Sequence, residues 1–346
     1  MPSRVERDAR DLLTDLLGSV SRSFYLTLRA LPASVRPQIG LAYLLARATD
    51  TIADTELISV EQRLSALSDL RSRILGRRDA LVNFASIAAA QPELPGGGTN
   101  SERILLQRIE EAIACLRAFS PDDQKRIRDV LDIITSGQEL DLVRFGGGTV
   151  ENLRALQTDA ELDDYTYRVA GCVGEFWTKM CRAHVFPKAP LDDSFLLKNG
   201  VRFGKGLQFV NILRDMPKDL RQGRCYVPVE RLARVNLQPQ DLLNSQNEPR
   251  LRPVYSELLV LAEAHLCAGW EYTNALPRSA VRVRLACAWP VLIGVRTLAK
   301  LRAGNVLDPA QRIKISRPDV RRIITATVLR YPFSRSWQNL LGQMKS

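Results

Sequence analysis

The sequence has few of the residues that build metal cages or imidazole-based catalytic triads. It contains two histidines, His184 and His265, and its six cysteines are far apart and include no C-x-x-C pair. Zinc sites need Cys and His at short spacings, and a triad needs a histidine base. We therefore expect any chemistry to depend on other side chains, and we expect the cysteines to be reduced residues of the core.

Long apolar runs are also missing. The longest strongly apolar segment, around residues 285–295, is too short to cross a bilayer. The N-terminal stretch MPSRVERDARDLL alternates charged and apolar residues and lacks the apolar centre of a secretory signal. These two features predict a cytoplasmic protein without a membrane anchor.

No segment shows the apolar–polar alternation of a half-buried strand. Apolar residues recur instead at intervals of three and four along nearly the whole chain, which is typical of amphipathic helices. The same helical pattern resumes on both sides of every break, so the breaks indicate loops rather than domain linkers. The pattern predicts one all-α domain over residues 1–346, with roughly a dozen helices. The main breaks are residues 91–100, 145–150 and 244–253.

Basic residues exceed acidic ones, 49 to 38, which gives a net charge of +11. Such an excess suits phosphates, nucleic acids or an anionic membrane surface. The chain lacks RNA-binding aromatic signatures, zinc-finger spacing and basic-region heptads, so we expect a phosphate-bearing ligand and no nucleic acid.

A stripe of polar residues lies on an otherwise apolar helix near residue 50. Positions 43, 47, 50 and 54 share one face of a helix with 3.6 residues per turn, which aligns Tyr43, Arg47, Asp50 and Asp54. Taken alone, this stripe has a simple explanation as a solvated face on which Arg47 pairs with the two acids.

A second stripe occurs between residues 206 and 228. Gln208, Asn211, Asp215 and Asp219 recur at three and four among apolar neighbours and end in another D-x-x-x-D. Pro217 lies between the two acids and is expected to end or kink the helix, because it lacks an amide hydrogen and clashes with the preceding turn.

Two such stripes facing each other across a bundle would line a cavity with carboxylates. Mutual repulsion of the carboxylates would then require cations, and Mg²⁺ prefers oxygen ligands and bridges carboxylates to substrate phosphates. The pattern thus predicts a diphosphate site. The guanidinium groups that would donate bidentate hydrogen bonds to the phosphate oxygens belong to Arg22, Arg47, Arg214 and Arg224.

Four motifs in order resemble those of the squalene and phytoene synthases, which are head-to-head prenyltransferases with the all-α isoprenoid synthase fold. The resemblance covers about residues 15–300, followed by a C-terminal helical extension over 301–346. It implies a helical bundle with a central cavity. The motifs are SRSF (21–24), DTIAD (50–54), YTYRVAGCVG (165–174) and NILRDMPKDLRQGRCYVP (211–228).

The resemblance implies a role for each matching position. Catalytic positions are Asp50, Asp54, Asp215, Asp219 and Tyr165, and the four aspartates with Asn211 would bind Mg²⁺. Substrate-binding positions are Ser21, Arg22, Ser23, Phe24, Tyr43, Arg47, Gly174, Gln208, Asn211, Arg214, Arg224 and Tyr226. For Gly171 and Gly174 there are two explanations, the close passage of a ligand and the close packing of helices.

The product depends on finer features. The D-T-x-x-D form of the first motif resembles that of squalene synthases. Residues 312–320 resemble a basic stretch of the same enzymes, in which Lys314 and Arg317 would bind a nicotinamide cofactor, NADPH, or a diphosphate; a solvated basic loop is the alternative. Arg168 stands where squalene synthases usually have a tyrosine. This departure argues against the reductive half-reaction, because a cation near a carbocation must be turned away or neutralised by diphosphate.

We therefore expect a Mg²⁺-dependent enzyme that joins two farnesyl diphosphates and reduces the intermediate to squalene with NADPH. Within the same fold, the alternatives are presqualene diphosphate, dehydrosqualene or phytoene synthesis without reduction. An alternative of another class is a non-catalytic helical protein that binds prenyl lipids. The sequence leaves the oligomeric state open, and a domain of this size is compatible with a monomer. We also expect peripheral contact to the inner membrane surface, through Arg317, Arg321 and Arg322.

Overall fold

Helices make up nearly all of the regular structure, as the sequence pattern predicts. The computed structural model describes residues 12–21, 25–55, 58–84, 87–88, 98–311 and 313–345. Arg22, Ser23 and Phe24, which the SRSF motif assigns to substrate binding, lie outside the described residues. The chain divides into two compact units, an N-terminal one of residues 1–143 with 179–187 and a C-terminal one of residues 144–178 with 188–346. The single domain over 1–346 stays a prediction.

Among the described residues, seven α-helices precede residue 146, and a π-helical turn, Leu12–Leu16, comes before them. Ser120 begins the last of the seven, since its Oγ accepts from the Asp123 amide at 3.2 Å. The helices are α1 (Leu17–Val20), α2 (Tyr25–Ala30), α3 (Arg36–Asp54), α4 (Val60–Ile74), α5 (Gly98–Gln107), α6 (Ile109–Arg117) and α7 (Pro121–Phe145).

The remaining elements follow from residue 154 and include two strands of two residues each. The strands pair in parallel, with Arg154 opposite Arg224. A second π-helical turn, Tyr167–Gly171, lies within the VAG motif. The elements are β1 (Arg154–Ala155), α8 (Asp159–Thr166), α9 (Cys172–His184), α10 (Asp193–Arg221), β2 (Arg224–Cys225), α11 (Val229–Ala233), α12 (Glu248–Ala275), α13 (Val281–Ala303), α14 (Arg317–Arg330), α15 (Ser334–Gln338) and α16 (Leu340–Lys345); short 3₁₀ turns span Pro239–Leu243 and Ser245–Asn247.

Within the N-terminal unit, α3 packs against α1, α2, α4, α5 and α6. Its apolar residues, among them Leu41, Leu44 and Ile52, are fully buried. The polar stripe of the same helix keeps contact with solvent, because Asp54 is exposed and Asp50 is half-buried. The helix therefore presents these two acids on a side that is in contact with solvent, while its apolar residues stabilise the unit.

Within the C-terminal unit, α10 packs against α12, α13 and the second π-helical turn. The core around it includes Leu213, Leu258 and Val295, each at most 1% exposed. A smaller apolar cluster forms where Trp270 stacks on Trp337 at 5.2 Å, together with Ile323 of α14. This second cluster attaches the last three helices to the core of the unit.

Glycines allow α9 and α10 to approach until their backbones touch. A Cβ atom on Gly174 would lie 1.8 Å from the carbonyl oxygen of Gly200, and one on Gly204 would lie 2.0 Å from that of Ala170. Close helix packing, one of the two explanations from the sequence, thus accounts for Gly174. Its role in substrate binding stays a prediction. A Cβ on Gly171 would meet only side chains, at 3.1 Å or more.

The contact between α9 and α10 can be tested with Gly174→Ala. The added methyl group overlaps backbone, so we expect a loss of about 1–3 kcal/mol or more in the free energy of unfolding, measured by denaturant titration. Gly342→Ala on α16 is the control, because nothing lies within 4 Å of its Cβ position. Equal stability of the two variants would contradict the close approach.

Candidate active site

The first carboxylate group is organised around Arg47 on α3. Arg47 donates through Nη1 to Asp50 Oδ2 at 2.5 Å and through Nη2 to Glu102 Oε1 of α5. Its Nε is buried and has no hydrogen-bond partner in the part of the chain that the structure describes. Arg47 thus joins two carboxylates and retains one donor for a further acceptor.

The carboxylate of Asp50 has an altered proton affinity. Removal from water and the neighbouring Asp54 charge raise the pKa of Asp50 to about 7, against the lowering effect of Arg47. The side chain is 40% exposed, so contact with solvent moderates this rise in the pKa. The guanidinium does not fully compensate the negative charge here, which is the situation that favours a bound cation.

Arg47 itself stays charged. Partial burial lowers the pKa of Arg47, but Asp50 and Glu102 outweigh that effect, and the net shift is upward, with Tyr43 contributing. Glu102 was not predicted as a site residue from the sequence. It lies far along the chain from Arg47, in a segment where the sequence shows only the start of a helix, so no local pattern links the two.

Ser21 is the described part of the SRSF motif. Its side chain is 2% exposed, and its Oγ has no hydrogen-bond partner among the described residues. A buried hydroxyl without a partner is uncommon in native structures. Ser21 is therefore available to donate to or accept from a ligand.

The second carboxylate group lies on α10. Arg214 donates through Nε to Asp215 Oδ1 at 2.8 Å and through Nη2 to Oδ2 at 2.5 Å, a bidentate pair that raises the pKa of Arg214. Asp219 is half-buried and also acts electrostatically on Arg214. Asn211 donates to Gln208 Oε1 at 3.4 Å, so the predicted polar stripe forms.

The sequence predicts that Pro217 ends or kinks the helix. The helix does not end there, because α10 continues to Arg221, and a kink stays a prediction. Proline cannot donate to the carbonyl four residues earlier, which belongs to Leu213. The hydroxyl of Tyr255, a fully buried residue of α12, donates to that carbonyl at 3.0 Å. A side chain from a neighbouring helix thus replaces the lost hydrogen bond, and Asp219 stays one helical turn beyond Asp215.

Aromatic residues meet next to this stripe. Tyr165 stacks on Tyr226 with ring centroids 4.7 Å apart, and Phe145 packs on Tyr226 at 5.0 Å. Gln208 donates to the Tyr165 hydroxyl at 3.2 Å. Three predicted positions, Tyr165, Gln208 and Tyr226, are therefore in one connected cluster of the C-terminal unit.

The backbone around Arg224 is held by β1 and β2. Leu156 N–H donates to the Cys225 carbonyl at 3.1 Å, and Arg154 N–H donates to the Gly223 carbonyl at 2.9 Å. These bonds connect the segment after α10 to residues 154–156. Arg224 is half-buried on this segment, directly before Cys225 and Tyr226.

Arg168, the departure from the family pattern, is neutralised within its own helical segment. Its Nε donates to Asp164 Oδ1 at 2.8 Å and to Oδ2 at 3.1 Å, and Arg144 lies 3.8 Å from the same carboxylate. A protein carboxylate thus pairs with this cation, and the two expectations from the sequence, that it is turned away or neutralised by diphosphate, stay predictions.

A cleft of 480 Å³ opens beside Asp215 in the C-terminal unit. Lys314 lines this cleft, as the basic stretch predicts for a phosphate ligand, but Arg317 is not among the described residues that line it. Lys218 and Arg221 also line the cleft and were not predicted from the sequence as site residues, although their spacing from Arg214 places them along one side of α10. The lining is Arg214, Asp215, Pro217, Lys218, Arg221, Asp308, Pro309, Gln311, Ile313 and Lys314.

Among the described residues, no group of three or more His, Cys, Asp or Glu side chains stands together as a metal site. The predicted metal-binding aspartates occur in pairs, one pair in each unit. Mg²⁺ commonly takes one or two carboxylates and completes its shell with waters and substrate phosphates. The donor set, with the raised pKa of Asp50, fits such a metal. Whether the two pairs face each other stays a prediction.

Residues 17–319 match the family model described as squalene/phytoene synthase. The chain belongs to this family, whose members are prenyltransferases that join prenyl diphosphates head to head.

Curated relatives differ in how much of their length is matched. The presqualene diphosphate synthase of Zymomonas mobilis is 27% identical over 90% of this chain and 91% of its own. The squalene synthase of Saccharomyces cerevisiae is 26% identical over 82% of this chain and 60% of its own length. The match to a bifunctional lycopene cyclase/phytoene synthase of Blakeslea trispora, 28% identical over 81% of this chain, covers 43% of that protein. The chain thus spans about half the length of some relatives.

Solved structures confirm the fold. TcSQS in a ligand complex superposes with a TM-score of 0.77 at 23% identity, over 97% of this chain and 90% of the other. A dehydrosqualene synthase gives 0.67 at 19% identity, over 95% and 98%. The predicted all-α isoprenoid synthase fold is therefore confirmed.

The bond between Tyr255 and Leu213 makes a prediction about stability. Tyr255→Phe leaves a buried carbonyl unpaired, so we expect a loss of about 1–3 kcal/mol in the free energy of unfolding by denaturant titration. In a Pro217→Ala background the restored amide can donate to Leu213, and the cost of Tyr255→Phe should shrink. An equal cost in both backgrounds would show that the hydroxyl does not compensate for the proline.

The raised pKa of Asp50 predicts a pH effect in metal-free protein. Between the ordinary pKa of 3.8 and about 7, the folded chain keeps a proton on Asp50 that the unfolded chain has lost. The contribution of this group to stability therefore falls as pH rises through that window. Asp50→Asn should flatten the decline in melting temperature with EDTA present, whereas Asp129→Asn, at an exposed acid, should not. Parallel curves for wild type and Asp50→Asn would contradict the shift.

Proposed function

We propose that this chain is a Mg²⁺-dependent squalene synthase, which joins two farnesyl diphosphates head to head through presqualene diphosphate and reduces that intermediate with NADPH. The observation that carries the proposal is the Arg47 group, in which Asp50 remains under-compensated beside Asp54. A scaffold gains nothing from crowded carboxylates, because their repulsion and desolvation cost stability. A metal–diphosphate complex would remove that cost.

The aspartates of the two pairs, with Asn211, would hold the metal. Mg²⁺ held there would draw negative charge from the diphosphate and so favour its departure. The residues of the chain have complementary tasks. Arg47 keeps an Nε donor for a phosphate oxygen, and Ser21 offers a buried hydroxyl. These donors would stabilise charge on the leaving group in a site that excludes part of the solvent.

The aromatic cluster has the chemistry expected around an allylic cation. The stacked rings of Tyr165 and Tyr226 are buried and present electron-rich faces, while Gln208 holds the Tyr165 hydroxyl. Because Arg168 pairs with Asp164, its repulsion of positive charge on the substrate is weakened. Both features support ionisation of a prenyl diphosphate at this cluster.

The cleft beside Asp215 supports the reductive step. Arg214, Lys218, Arg221 and Lys314 outnumber the two acids in its lining, so it favours a ligand that carries phosphates, as NADPH does. We assign Lys314 to this ligand on the basis of the cleft. The assignment of Arg317 rests on the family resemblance alone.

A second candidate is a presqualene diphosphate synthase that stops before reduction. The match to the Zymomonas mobilis enzyme of that name covers about nine tenths of both chains, which favours this candidate. Dehydrosqualene and phytoene synthesis remain alternatives within the family, with farnesyl or geranylgeranyl diphosphate as substrate. A non-catalytic prenyl-lipid-binding protein is disfavoured by the charge arrangement at Asp50.

The function is tested by incubating the protein with farnesyl or geranylgeranyl diphosphate and Mg²⁺, with and without NADPH, followed by mass spectrometry of the products. We expect squalene only with NADPH and presqualene diphosphate without it. Asp50→Asn and Asp215→Asn should each lower turnover at least about 100-fold, because charge stabilisation in the transition state is lost. Asp129→Asn is the control.

Other outcomes distinguish the alternatives. Presqualene diphosphate that accumulates with and without NADPH would establish the second candidate. A C30 hydrocarbon formed without NADPH, or a C40 product, would exclude both. No release of diphosphate under any condition would leave the non-catalytic alternative.

A further inference from the structure

An exposed surface that combines arginines with large apolar side chains lies at the C-terminal end of the chain. We call it the α14 face and define it by Arg321, Arg322, Val328, Leu329 and Phe333. Val328 is 49% exposed, Leu329 67% and Phe333 65%. Three large apolar residues this exposed and this close in sequence indicate an interaction surface.

The orientation of α14 is fixed by its opposite side. Ile323 is 5% exposed and belongs to the Trp270–Trp337 cluster. Trp289 Nε1 donates to Thr327 Oγ1 at 2.9 Å. These contacts attach one side of the helix to the unit, so the side half a turn away faces solvent. The exposure of the apolar residues on that side is therefore not caused by poor packing of the helix.

The arginines and apolar residues of this face are ordered along the helix. Residues seven apart lie on nearly the same side of an α-helix, so Arg321 lines up with Val328 and Arg322 with Leu329, about 10 Å further along. Phe333 follows shortly after the end of α14. The face therefore has a basic end and an apolar end.

The charge around this face has one sign. Residues 311–346 contain eight Lys or Arg and one acid, Asp319, so they contribute most of the net charge of +11. Lys300 and Arg322 each lie 3.7 Å from Asp319, which leaves the segment strongly basic. A partner for this face must carry negative charge next to an apolar region.

We propose that the α14 face docks onto the surface of an anionic phospholipid bilayer. Charge complementarity supports this occupant: anionic headgroups meet Arg321 and Arg322 while Val328, Leu329 and Phe333 enter the boundary of the acyl chains. A second copy of the same chain would bring two basic segments together, which disfavours self-association. The proposal uses no residue of the candidate active site, and it holds for any of the family's products.

No helix within the described residues is long and apolar enough to cross a membrane. The α14 helix has 14 residues and would lie along the surface. Contact through so small an apolar area is reversible, so its strength should depend on lipid charge and on salt.

The experiment is co-sedimentation of the full chain with vesicles of phosphatidylcholine alone or with phosphatidylglycerol at roughly 30%, an anionic content that gives a strong surface potential. Arg321→Gln with Arg322→Gln should weaken binding to the anionic vesicles about 30-fold, since each basic residue contributes about 1 kcal/mol and about 1.4 kcal/mol is tenfold. High salt should have a similar effect on the wild type.

The apolar end is tested by Val328→Ser, Leu329→Ser and Phe333→Ser together. We expect this variant to lose binding to the anionic vesicles. The matched controls are Val260→Ser, whose apolar side chain is 65% exposed elsewhere, and Arg77→Gln with Lys125→Gln, whose side chains are 64% and 73% exposed. Circular dichroism confirms that each variant is folded.

Several outcomes would overturn the proposal. They are the absence of wild-type binding to anionic vesicles, binding that salt does not weaken, and α14 variants that bind like their controls. A wild-type dimer in light scattering that the triple serine variant abolishes would instead identify the face as a self-association surface. Vesicle binding needs no substrate, so its failure is distinguishable from failure of the proposed reaction.

Discussion

The site depends on the cost of placing carboxylates on helices that are otherwise buried. On α3 and α10 the acids lie among leucines and isoleucines that form the cores of their units, and each helix brings an arginine within hydrogen-bonding distance of an acid. The compensation is incomplete at Asp50, whose pKa rises because of desolvation and because Asp54 adds a second negative charge. This residual repulsion is the physical basis for expecting a divalent cation and, with it, a diphosphate substrate.

The same principle explains the less obvious contacts. Glu102 balances Arg47 from another helix, and Asp164 balances Arg168 beside the aromatic cluster. Buried polar groups of the backbone also need a partner. Because Pro217 has no amide hydrogen, the carbonyl of Leu213 lacks its usual donor, and it accepts a hydrogen bond from Tyr255 instead. In each case a charge or dipole that would otherwise stay uncompensated is satisfied by another residue of the fold.

The family relationship identifies the class of reaction, whereas the choice of product depends on the chemistry of the site. Membership in the squalene/phytoene synthase family rests on a match over residues 17–319. The choice among products rests on smaller features of this chain, such as the basic cleft that contains Lys314. The α14 face is separate from both, since it concerns where the protein acts rather than what it makes.

Helical periodicity and short motifs are local properties, so the helical class, the two D-x-x-x-D stripes and the family could be predicted from the amino-acid sequence alone. The sequence also placed Arg47 on the same helix face as the acids, since three and four residues separate neighbours on one face, with pairing to the acids or binding of a phosphate as its two explanations. Only the tertiary structure identified Glu102, the continuation of α10 through Pro217, and helix packing as the reason for Gly174. These features depend on residues that are distant in the chain, and no local pattern records which distant group will supply a hydrogen bond or occupy the space beside a backbone.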